Sequence, residues 1–112
     1  MAPTEVTQSV SVSNVLADLP VTKEATTSRV LVNNPLLRVV DFAFDEGQLL
    51  TEHTSPRAVV VTLLSGTMDF DVEKETHHLV AGDVLYMAPG ANHALRATSA
   101  CHMQLVMVDV DA

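Results

Sequence analysis

This chain carries a single cysteine, Cys101, and so cannot close a disulfide within itself. A domain without such a staple relies on its apolar core, as proteins of reducing compartments do, and cytoplasmic residence is the expectation. Tryptophan is missing and aromatics make up 4% of the residues, so the core has to be assembled from the Val, Leu, Ala and Met that dominate an apolar fraction of 47%. Valine's branched Cβ stiffens χ1 and suits a pleated surface, which points to strands. Basic residues are scarce as well: six against fourteen acidic ones, for a formal net charge of −8. Counterion release from a phosphate backbone needs clustered Lys and Arg, and so does an anionic membrane surface, so neither nucleic acid nor membrane is expected as a partner. No apolar run approaches the ~20 residues that span a bilayer. The opening residues lack a basic stretch followed by an apolar one, so no signal peptide is read there. Gly-x-Ser-x-Gly, Walker and Gly-x-Gly-x-x-Gly sequences are also missing, which argues against hydrolase, kinase and dinucleotide-binding chemistry.

What the 112 residues do contain is a succession of short strands and turns, enough for one domain. Residues 1–25 read as an N-terminal arm or edge strand, and residues 26–112 as the folded unit. Within the arm, Asn14–Leu19 has the look of one helical turn stopped by Pro20, with Asn14 as its cap. Strands follow over Ser28–Val32, Leu36–Phe44 and Leu49–Thr54, punctuated by Asn33-Asn34-Pro35 and Asp45-Glu46-Gly47. Ala58–Leu64 is nearly continuous apolar sequence and reads as a strand buried on both faces. Thr67–Glu73 alternates strictly, placing Met68, Phe70 and Val72 on one face and the acids Asp69, Asp71 and Glu73 on a solvated one. Further strands are expected over Thr76–Val80, Val84–Met87, His93–Thr98 and Cys101–Val110. Such a pattern predicts an all-β sandwich or barrel with at most one short helical turn.

Glycine and histidine spacing adds more. Gly47 is followed after five residues by His53, then Ser55 two places on, Val59 four further and Gly66 after six more. Later come Gly82, Ala88, Gly90, His93 and Ala97. Over roughly Leu36–Val110 this resembles the cupin family, whose two motifs run Gly-x5-His-x-His-x3–4-Glu-x6-Gly and Gly-x5-Pro-x-Gly-x2-His-x3-Asn. The resemblance implies a jelly-roll antiparallel β-barrel with a ligand cavity at its mouth. It also implies a divalent metal (Fe, Mn, Ni, Zn or Cu) held by three His and a Glu.

Only two of those four positions keep a strong ligand, His53 and His93. Ser55 offers a neutral hydroxyl and Val59 offers nothing, whereas transition-metal sites usually use three or four protein ligands. A replacement from the last strand is open: His102 and Gln104 share one face, and Cys101 shares the other with Met103 and Leu105. Tyr86 either reaches into the cavity as a proton donor or simply packs. His77 and His78 read as surface residues, Glu52 as outward-facing, and Cys101 as a small buried hydrophobe. Two functions stay open at this point. One is a cupin that binds a divalent metal through His53 and His93 and acts on a small organic molecule. The other is a metal-free cupin that binds or senses a small ligand. The resemblance also implies a homodimer, since in small cupins a leftover N-terminal strand often pairs with a second subunit and an edge strand needs such cover.

Overall fold

The alternating segment forms the strand its pattern predicts. Met68 and Phe70 are buried on one face of Thr67–Val72, while Asp69 and Asp71 face outward. Glu73 and Lys74 both adopt positive φ and return the chain as a two-residue hairpin, the geometry that matches strand twist. The computed structural model describes residues 3–110, and among them nine strands run in chain order. They are β1 (Thr26–Asn33), β2 (Leu37–Phe44), β3 (Leu49–His53), β4 (Ala58–Ser65), β5 (Thr67–Val72), β6 (Glu75–Val80), β7 (Val84–Met87), β8 (His93–Ala97) and β9 (Cys101–Val108).

All pairings are antiparallel, in two sheets ordered β1-β2-β9-β4-β7 and β3-β8-β5-β6. Their inner faces enclose a core that includes Phe44, Val61, Leu63, Met68, Phe70, Leu95, Cys101 and Met103. This is the all-β, two-sheet barrel the sequence predicts.

In the arm a turn forms over Asn14–Leu19, but Asn14 does not take the capping conformation expected of it. Asn14 sits at φ 58°, outside the extended conformation of a helix cap, and one bond from Asp18 N–H to the Asn14 carbonyl (2.9 Å) closes a lone turn. No helix occurs among the described residues, and the arm forms no strand. Its ties to the barrel include Thr4 N–H donating to the Asn33 carbonyl (2.8 Å), Asp18 3.6 Å from Arg29, the Leu19 carbonyl accepting from His102 Nε2 (2.7 Å), and Glu24 N–H donating to Asp45 Oδ2 (2.7 Å).

β4 is also a correction. Val59, Val61 and Leu63 are buried, but Ala58, Val60, Thr62 and Leu64 are only half-buried. On the outer face of the five-stranded sheet Asp41 and Ala43 are buried where the arm meets Arg29 and His102, whereas Val84 and Tyr86 of β7 are exposed. Asp41 lies on that outer face, buried, with neither carboxylate oxygen hydrogen-bonded. Burial pushes its carboxyl above the usual range, opposed by neighbouring Gln104, His102 and Arg29.

One backbone position closes the barrel end. Gly66 joins β4 to β5 at φ +74°, and a Cβ there would lie 2.2 Å from the Ala100 carbonyl oxygen and 2.6 Å from Cys101 Cβ. Gly82, at φ +95°, has open space around it. Gly66→Ala is therefore expected to cost about 3 kcal/mol or more, by strain and clash together. Gly82→Ala should cost only about 1–2 kcal/mol, from the left-handed backbone alone. Urea midpoints of the two variants check this; equal losses would remove the role assigned to the Gly66 contact.

Candidate functional site

The ends of β3 and β8 bring together the two histidines singled out by spacing. Leu50 pairs with Leu95, but the next pair in register is His53 with His93, three residues along one strand and two along the other. A bulge absorbs the extra residue and turns His53 to the same side as Leu50 and His93. The two rings stand edge to face with centroids 4.0 Å apart. Phe70 backs His93, 6.0 Å away and nearly parallel. Behind the histidines, Gly90 N–H donates to the Ser55 carbonyl (2.7 Å) and pins the two motif segments to each other.

Hydrogen bonds fix the tautomers. His53 Nδ1 lies 2.7 Å from the Thr51 carbonyl oxygen and His93 Nδ1 lies 3.1 Å from that of Ala91. A carbonyl only accepts, so Nδ1 carries the proton in each ring and Nε2 keeps its lone pair when the ring is neutral. His93 is 8% exposed, whereas His53 is open to solvent. Burial lowers the His93 pKa, the bond to the Ala91 carbonyl works against that, and the adjacent His53 adds to the lowering.

Both rings line a cavity of about 390 Å³ between the sheets, with Ser55 and Val59 beside them. The four positions to which the resemblance assigns metal ligands therefore border one space. Its other walls are Ser28 and Val30 of β1, Arg38, Val40 and Phe42 of β2, Met87 of β7, and Leu105 and Met107 of β9. Arg38 did not stand out in the sequence because it lies in a mainly apolar strand, with Asp41 on the opposite face. The signal available was a rare basic residue at the same parity as Val40 and Phe42. Its Nε is buried and has no hydrogen-bond partner.

The remaining expected lining residues lie elsewhere. Tyr86 points outward on β7, 63% exposed, because Leu85 and Met87 take the inner parity. His102 and Gln104 occupy the outer face of β9, since Cys101, Met103, Leu105 and Met107 face inward. His102 is held there by Ser65 Oγ (2.8 Å to Nδ1) and the Leu19 carbonyl. Cys101 is buried and its thiol is pushed up to about 11, the state of an inert hydrophobe. Glu52 is exposed and accepts from Asn92 Nδ2 (3.3 Å).

A second depression of similar size lies on the outer face of the four-stranded sheet, near Asp69, Asp71 and Arg96. Its charged groups are already engaged, Asp69 with His78 (2.6 Å) and Arg96 (4.0 Å), and Asp71 with Thr76 Oγ1 (2.6 Å). The inner cavity differs in that Arg38 Nε, on its wall, has no hydrogen-bond partner.

The residues fit a resident transition metal poorly. His53 and His93 supply two donors, Ser55 Oγ already accepts from Arg57 N–H (3.2 Å), and Val59 supplies none. No group of three or more His, Cys, Asp or Glu side chains with metal-binding geometry occurs among the described residues. Two donors fall short of the usual three or four.

The lowered His93 pKa has a thermodynamic consequence. As pH falls through the ordinary value of 6.5, the unfolded chain protonates this ring before the folded protein does. The unfolded state then binds more protons, so stability drops on acidification across that window. His93→Gln is expected to flatten the slope of the urea midpoint between roughly pH 7 and pH 5. Identical slopes in the two proteins would refute the assignment.

Comparison with known proteins agrees with this geometry. The Cupin_2 family, described as a cupin domain, matches residues 40–109. The chain is similar over its full length to a conserved protein of unknown function from Streptococcus pyogenes, at 30% identity, TM-score 0.86 and 98% coverage of that chain. A cupin superfamily protein from Desulfitobacterium hafniense superposes at TM-score 0.81 with 16% identity, covering 96% of this chain and 98% of the other. KdgF from a Halomonas species superposes at TM-score 0.75 with 19% identity, covering 94% and 97%. No curated protein matches the chain significantly. With more than half of its length matched by the family and its two motif histidines facing one another across β3 and β8, this chain belongs to the cupins.

Proposed function

We propose that this cupin binds a small organic molecule in the cavity at His53 and His93, without a resident metal ion. The observation that carries this reading is the composition of the cavity wall. It holds two imidazoles with free Nε2 lone pairs, two serine hydroxyls and one arginine, set in otherwise apolar lining. Such a wall, apolar with a few converging polar groups, is the usual form of a small-molecule site. Each neutral Nε2 accepts a hydrogen bond from a ligand hydroxyl or ammonium group.

A second reading places a divalent transition metal on His53 and His93, completed by donors from the ligand. One observation favours it: metal-ligating histidines commonly donate their other ring N–H to a carbonyl, as both rings do here. Elemental analysis of untagged protein separates the two. The first reading expects substoichiometric metal and no rise in Tm with Fe, Mn, Ni, Zn or Cu ions. It also expects fragments detected by ligand-observed NMR to lose binding in Val59→Phe, which fills the cavity. Stoichiometric metal that disappears in His93→Ala would overturn the first reading and establish the second.

The chain is further proposed to act as a homodimer, paired through the outer face of its five-stranded sheet. Val32, Val39, Val106, Val60 and Tyr86 stand in register as one apolar row across all five strands. Exposed Val84 and Val108 extend the patch. Light scattering at micromolar concentration should give twice the chain mass, falling to one chain in Val60→Lys/Tyr86→Lys; a monomeric parent protein would overturn the pairing.

A further inference from the structure

Arg38 is the one formally charged side chain among the residues lining the cavity, in a chain whose net charge is −8. It stands near the start of β2, between Asn33 of β1 and Met107 of β9. Its Nε is withdrawn from water and donates to no acceptor among the described residues. Arg29 and Arg96, by contrast, each lie within 4.0 Å of an aspartate, although Arg29 Nη1 is also buried without a hydrogen bond, as are Thr27 Oγ1 and the Asp41 carboxylate, all of them away from the cavity. A chain with fourteen acidic residues thus leaves its cavity arginine without one. Buried donors are nearly always paired, and Arg38 is the orphan among them whose residue lines the cavity, where an acceptor from a water or a ligand can reach it.

We propose that the cavity takes a small organic monocarboxylate, its carboxylate on the Arg38 guanidinium and its apolar body against Val40, Phe42, Leu105 and Met107. This rests on the ligand-cavity reading above and gives that ligand a charge and a shape. A guanidinium presents parallel N–H donors that match the two oxygens of a carboxylate. One cation balances one such charge. A phosphate monoester carries close to two charges near neutrality and three acceptor oxygens, and the wall adds only Ser28 and Ser55 as hydroxyl donors. A cationic ligand finds no Asp or Glu in the lining. The hydrocarbon walls favour an apolar body over a strongly hydrated one, since burial of each CH₂ is favourable and burial of an unpaired polar group is not.

The test uses calorimetry or NMR titration of the full chain with benzoate and hexanoate, their primary amides, and phenyl phosphate. The acids should bind at least about ten-fold more tightly than the isosteric amides, the worth of one charge-assisted bond. Arg38→Gln should remove that margin while leaving amide affinity within about two-fold, and Arg38→Lys should keep part of it. Comparison of acid with amide on the unaltered protein stands even if Arg38→Gln folds poorly, which its melting temperature reports.

Equal affinity for acids and amides, or undiminished acid binding by folded Arg38→Gln, would overturn the role of Arg38 while the cavity reading survives. Phenyl phosphate outcompeting benzoate would overturn the carboxylate class. Failure of every probe to bind overturns the proposal too, and the fragment screen with Val59→Phe then decides separately whether the cavity reading falls with it.

Discussion

Strand β9 sits at the centre of the five-stranded sheet and pairs along nearly its whole length with β2 on one side and β4 on the other. Its register therefore sets which side chains of three strands face inward. With Cys101, Met103, Leu105 and Met107 turned in, Phe42, Val40 and Arg38 are turned in on β2, and Leu63, Val61 and Val59 on β4. A slip of one residue would turn β9 over, bringing His102 and Gln104 to the face that packs with Phe42, Val40, Leu63 and Val61 in place of Cys101, Met103 and Leu105. The same register grades the interior from a packed end at Phe44, Leu63 and Cys101 to an open end at Arg38, Met107 and Val59.

At that open end, the apolar wall amplifies a small number of polar groups. Low polarity makes an unpaired charge costly and a well-placed partner valuable, for the same electrostatic reason. The two imidazoles are held as acceptors by the carbonyls of Thr51 and Ala91, each two residues upstream of the ring it fixes. Local backbone geometry thus does the orienting, with no help from a distant side chain. Among the cavity-lining residues, Arg38 Nε is the buried side-chain atom left without a hydrogen-bond partner.

Much of this was legible in the residue order. Strict alternation gave Thr67–Val72 its buried and solvated faces, and glycine-histidine spacing brought His53, Ser55, Val59 and His93 to one space. Other features were hidden for identifiable reasons. Simple period-two counting would put Leu50 and His53 on opposite faces, and the bulge that reunites them leaves no mark in composition. On β9 both faces are mixed, His102 and Gln104 against Cys101 and Met103, so the choice of inner face depends on tertiary pairing. Tyr86 followed its neighbours Leu85 and Met87, whose burial outweighs any use of its hydroxyl. Ala58–Leu64 read as doubly buried because sequence cannot tell a covered sheet face from one left half-open.

Cys101 lies at the sealed end, its Cβ against the backbone of Gly66 and its sulfur out of reach of water. The protein thereby holds its only thiol where no reagent arrives unless the strands packed around it open. Alkylation of this sulfur is slaved to that opening, so its rate is an intrinsic clock for breathing of the closed half, read without any introduced probe.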